Sequence, residues 1–138
     1  MMKKLVLFLC IALLASCASR QKLIVGSWKF KDMKPEAELD SAALAFVTMA
    51  ADQMKTNLTT TMEADSSYTI MQLKEQRAIR GRWWFSADKK TLFTNTDLGY
   101  NQYKVLTLTK KELVYETKDN SGRLFKMILV PLTTAGSK

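Results

Sequence analysis

The sequence predicts a mainly β protein: about eight antiparallel strands in up-and-down order, closed into a barrel, with one α-helix between strands 1 and 2. Three observations predict it. Runs with apolar side chains at every second position recur from Leu23 to Leu132, the period of a half-buried strand. Turns rich in Gly, Asp, Asn and Ser separate these runs, and such short connections pair sequence neighbours antiparallel. One stretch, Pro35 to about Asn57, switches to helical period. Eight strands suffice for a barrel that holds one small ligand or is filled by side chains. Closure also removes the unpaired edges of an open meander.

The first strand is expected from Leu23 to Lys31, with Ile24, Gly26, Trp28 and Phe30 on one face and Ser27, Lys29 and Lys31 on the other. Leu39, Ala43, Phe46, Ala50 and Met54 then recur at four, three, four and four, one face of a helix. Pro35 suits its first position, and the alanines raise its propensity. Strands follow at Thr59 to Ala64, Tyr68 to Lys74, Ile79 to Ser86, Thr91 to Thr96, Tyr103 to Thr109, Glu112 to Lys118 and Arg123 to Leu132. Asp119-Asn120-Ser121-Gly122 is the strongest turn signal. Residues 133–138 read as a tail.

The N-terminus reads as an address. Lys3-Lys4 precedes ten apolar residues, Leu5 to Leu14. As a helix these span roughly 15 Å, about half a bilayer core, so the run is a signal-peptide core and not a membrane span. Leu14-Ala15-Ser16-Cys17 follows and resembles the bacterial lipobox. That resemblance implies a signal peptide over residues 1–16, cleavage before Cys17, and acylation of the Cys17 thiol. Ser16-Cys17-Ala18 also fits an ordinary small-x-small cleavage site. Residues 17–22 would form a short tether between membrane and domain, with Arg20 and Lys22 within reach of anionic headgroups. Cys10 lies in the discarded segment, so a disulfide within the mature domain is excluded.

Composition narrows the chemistry. The 138 residues contain no His, which removes the usual general base and the commonest metal ligand. There is no Gly-x-Ser-x-Gly turn and no free mature Cys. Carboxylates with metal spacing are absent and the methionines form no copper-type repeat, so neither a metal nor another cofactor is expected. A non-enzyme is expected. Processing removes Lys3 and Lys4 and lowers the formal charge from +8 to +6. Outside the cytoplasm that charge favours anionic lipid over nucleic acid.

Trp28, Trp84, Arg80, Arg82 and Phe46 are the candidate ligand contacts. Trp83 and Trp84 are adjacent on a strand, so they face opposite sides. Arg80 and Arg82 share the face of Trp84, a strip suited to a phosphate or carboxylate. That face is either a solvated exterior or an interior that coordinates an acidic ligand.

Val25-Gly26-Ser27-Trp28-Lys29 resembles the Gly-x-Trp signature of lipocalins, and Gly81-Arg82-Trp83-Trp84-Phe85 repeats it. With Tyr103 to Leu108 and Lys111 to Tyr115, the span 23–132 resembles the lipocalin-like lipoprotein domains of Bacteroidota. The resemblance implies that Gly26, Trp28, Gly81, Trp83 and Arg123 form the structural signature, with Trp28 closing the barrel bottom and Arg123 laid across it. It implies a small apolar or amphipathic ligand in the periplasm. The helix after the first strand departs from the lipocalin order and sits where the similar fatty-acid-binding proteins carry a lid. Ala18 to Lys22 lacks acidic residues, which implies retention on the periplasmic face of the outer membrane. The alternative is a structural lipoprotein whose barrel is plugged by Phe46, Met49 or Met54 and which docks on an envelope protein.

Overall fold

The computed structural model describes residues 20–132; the signal peptide expected over 1–16, Cys17 and the tail expected over 133–138 lie outside the described residues. Eight strands form a closed barrel in sequence order: β1 (Gly26–Pro35), β2 (Leu58–Met62), β3 (Ser67–Gln72), β4 (Arg77–Phe85), β5 (Thr91–Thr96), β6 (Gly99–Leu108), β7 (Leu113–Lys118) and β8 (Leu124–Pro131). Every neighbouring pair is antiparallel, and β8 returns to pair with β1. Helix α1 (Ser41–Asn57) lies between β1 and β2 and packs against β1.

The start of the domain differs from the sequence expectation. Residues 20–24 are helical, and β1 begins only at Gly26. Gly26 makes this junction at φ 141°, a backbone conformation that only glycine reaches cheaply. β1 also runs further than expected, to Pro35. A register shift between Phe30 and Asp32 lengthens it, and Met33 and Pro35 pair with Met127 and Phe125. Glu36 N–H continues toward β8, donating to Leu124 O at 3.0 Å. Pro35 therefore ends a strand and does not start the helix.

α1 starts where Asp40 caps it, its carboxylate accepting from Ala43 N–H at 2.8 Å. Its far end is tied to the β3–β4 turn: the Asn57 side chain accepts from Lys74 N–H at 2.7 Å and donates to Glu75 at 3.0 Å. The buried helix residues are Val47 and Ala51. Phe46, expected on the inward face, is 71% exposed. The rest of the expected stripe does face the barrel: Ala43, Ala50 and Met54 are part-buried and lie with Val47 over its mouth, while Phe46 falls at the edge of that face.

The core runs through the barrel: Ile24, Trp28, Met62, Tyr68, Trp83, Phe85, Leu92, Val105, Leu113 and Leu129 are all buried. Gly81 belongs to the same inward face. A Cβ there would lie 1.9 Å from Asn95 O, so close approach of β4 and β5 demands glycine.

Candidate functional site

One end of the barrel is solid. Ile24, at the end of the helical segment, is 0% exposed, and Trp28 is 3% exposed. Trp28 Nε1 donates to Ile24 O at 2.9 Å, while Trp83 Nε1 donates to Glu63 O at 2.9 Å. Both indole N–H groups are satisfied, so both large rings serve as plug without a polar penalty. Trp83 meets Phe85 edge-on at 5.8 Å between centroids. Trp28 therefore closes the barrel bottom and offers no ring face to a ligand.

Arg123 does not lie across Trp28. Trp28 pairs with Pro131, at the opposite end of β8 from Arg123. Arg123 sits in the β7–β8 turn, where its Nε donates to Asp119 Oδ2 at 2.9 Å. Asp119 Oδ1 also accepts from Ser121 N–H and Arg123 N–H, both at 2.9 Å. These bonds hold the Asp119 carboxyl down to about 2, with the Ser121 hydroxyl the leading cause. The turn claims Arg123 before the strand can.

The Arg80, Arg82 and Trp84 face is the barrel exterior. Trp83 faces inward, so its neighbours on β4 face out. Trp84 is 40% exposed and stacks on Phe93 at 5.6 Å, with Tyr100 at 6.2 Å. Of the two readings of this face, the structure shows the solvated exterior, and the interior arginine pair is excluded. Arg82 instead helps the Ser67 hydroxyl and amide hold the Asp65 carboxyl below its ordinary range.

The other end is hollow. Between α1 and the β7–β8 hairpin lies a pocket of about 400 Å³ with an almost wholly apolar lining. Met33, Val47, Met54, Phe125 and Met127 form its walls, and Ala43 and Ala50 leave the room. Phe46 stands at its edge. Lys118, Asp119 and Arg123 supply the polar rim. Sequence reasoning named Phe46 as a ligand contact, Arg123 for the structural signature, and Ala43, Ala50 and Met54 only as an inward helix face; it did not bring Met33, Val47, Phe125 and Met127 to the same pocket. The available signal was small alanines on a helix beside several methionines, a lining that adapts to irregular apolar shapes.

Below the pocket the barrel holds three tyrosines. Tyr115 pairs directly with Met127 of the pocket wall, and its ring lies 4.7 Å from that of Tyr103. Burial pushes the Tyr68, Tyr103 and Tyr115 hydroxyls up; for Tyr115, Tyr68 and Tyr103 add to the effect. Contacts with Thr60 and Thr94 partly offset this at Tyr68 and Tyr103. All three are neutral at neutral pH, giving the interior hydrogen-bonding capacity without charge.

Among the described residues, no group of three or more Asp, Glu, Cys or His side chains is placed to hold a metal ion. No described helix is long and apolar enough to cross a membrane.

No family model and no curated protein matches the sequence. Solved structures do match in fold. A lipocalin-like protein from Bacteroides uniformis superposes with a TM-score of 0.52 at 11% identity, over 80% of this chain and 99% of that one. The fold is lipocalin-like. A DUF4847 family protein from Bacteroides vulgatus gives a TM-score of 0.54 at 12% identity, over 82% and 96%. At these identities the lipocalin-like likeness is one of architecture.

Proposed function

We propose that this lipocalin-like barrel is a membrane-anchored envelope lipoprotein that holds a small apolar or amphipathic molecule in the pocket beneath α1. The pocket carries the reading. Its volume falls in the range of small-molecule sites, its walls are apolar, and its few polar groups gather at one rim. An apolar tail would lie against Met33, Val47, Met54, Phe125 and Met127. A polar head would meet Lys118 and the Arg123–Asp119 pair.

Acylation of Cys17 would supply the anchor, since two or more acyl chains hold a protein stably on a bilayer. The basic, acid-free run after Cys17 supports the periplasmic face of the outer membrane. Palmitate labelling that is lost in Cys17→Ala tests the anchor. Native mass spectrometry of the detergent-purified lipoprotein tests the ligand: a bound molecule that disappears in Ala50→Phe supports the pocket, and an empty protein across a lipid screen rejects it.

A second reading, docking on an envelope protein, is favoured by the outward side of α1. Leu44 and Met49 line one open groove on that side and are 48% and 59% exposed, and monomers seldom leave such apolar patches uncovered. Crosslinking from Met49 that recovers no specific partner rejects this reading.

A further inference from the structure

The geometry points to a membrane seat: the Trp28 end of the barrel rests on an anionic phospholipid surface, and the pocket opens away from it. This rests on the reading of Cys17 as the acylated residue.

Three observations converge. First, the chain leaves the barrel at the Trp28 end through helical residues 20–24, and Cys17 precedes Arg20 by only three positions. Three residues reach at most roughly 10 Å, so this end must stay near the anchoring bilayer. Second, an open groove of about 750 Å³ lies at that end, between Lys22, Leu23 and Val25 on one side and Lys110, Pro131 and Leu132 on the other. Its lining contains no acidic residue, and Val25 and Leu132 are 37% and 38% exposed. Lysines flanking exposed aliphatic side chains match a headgroup layer, where ammonium groups meet phosphates and short apolar groups enter the interface.

Third, the two ends differ in charge. The loops at the Trp28 end hold Arg20, Lys22, Lys89, Lys90, Lys110 and Lys111 against Glu63, Asp65, Asp88 and Glu112. The loops at the mouth hold Glu36, Glu38, Asp40, Glu75, Asp97 and Asp119 against Lys74 and Arg123, with Arg77 and Lys118 at the adjoining strand ends. An anionic surface attracts the first set and repels the second, which orients the barrel upright. A ligand then enters from the aqueous side, handed over in the periplasm and not drawn directly from the supporting leaflet.

The test uses the full acylated lipoprotein in phosphatidylcholine vesicles with and without phosphatidylglycerol. Lysines are acetylated with an amine-reactive ester, and each rate is read by mass spectrometry against the same protein in detergent. Lys22, Lys110 and Lys111 slow by about fivefold in the anionic vesicles, less in the neutral ones, while Lys74 and Lys118 keep their detergent rates. In Lys22→Glu/Val25→Asp the protection of Lys110 and Lys111 falls while flotation with vesicles persists. Protection of Lys74 and Lys118 instead, equal rates at both ends, or identical protection in neutral and anionic vesicles overturns the seat. Failure to float, together with absent palmitate label, overturns the anchor reading, a different outcome from a protein that floats unoriented.

Discussion

At the Trp28 end, Ile24, Trp28, Met62 and Trp83 are all between 0 and 3% exposed and fill the barrel. At the mouth, Ala43 and Ala50 of α1 stand over Phe125 and Met127 and leave a hollow of about 400 Å³. The same eight strands build both ends. The difference lies in side-chain volume: tryptophans on strands plug the barrel, and alanines on a helix leave it open. A small barrel can thus place its tightest packing at one end and an open apolar pocket at the other.

Truncation separates the two ends most strongly. Trp83→Ala removes the largest fully buried side chain and is expected to cost about 3–5 kcal/mol in urea unfolding. Phe46→Ala, at the rim of the mouth, is expected to stay within about 0.5 kcal/mol. Comparable losses at the two sites would break the comparison. Gly81→Ala drives a Cβ into the backbone of Asn95 and is expected to cost about 3 kcal/mol, seen as a lower Tm and lost amide protection between β4 and β5. Ala50→Phe fills the mouth. Its stability should change by less than about 1 kcal/mol while uptake of a lipophilic probe is abolished. Weak loss of uptake with a large loss of stability would mean the mouth is core after all.

Two titrations sharpen the contrast further. Tyr68 and Tyr115 are raised above the ordinary value of 10.0 by burial. The folded state holds these protons more tightly, so their contribution is complete below pH 10 and is lost as pH rises beyond it. Tm should fall steeply in alkali, and less steeply in Tyr115→Phe. Asp119 shifts the other way, from 3.8 to about 2. Its contribution is present above pH 3.8 and is lost as pH falls toward 2. The β7–β8 turn should loosen there first, read as faster exchange of the Gly122 and Arg123 amides. Asp119→Asn should show that loosening at neutral pH.

The strands were legible because alternation survives in them: Ile79, Trp83 and Phe85 are buried while Arg80, Arg82 and Trp84 are not. Alternation separates Trp83 from Trp84 but does not say which faces in. That depends on partners far along the chain, with Trp83 opposite the buried Thr94 and Gly81 opposite the buried Tyr68. The shift after Phe30 is likewise a property of the β1–β8 pair and extends β1 to Pro35. The turn signal at Asp119 was legible, yet its hold on Arg123 required the side-chain geometry. The pocket was least legible of all, because it exists only where α1 and the β7–β8 hairpin meet, more than fifty residues apart in the chain.

The most direct test of the two-ended account is a methyl NMR titration of the protein with dodecanol. The account predicts saturable shifts at Met33, Val47, Met54 and Met127, with Ile24 and Met62 at the tryptophan end unmoved. Shifts centred on Met62 and Ile24, or no saturable shift anywhere, would contradict it.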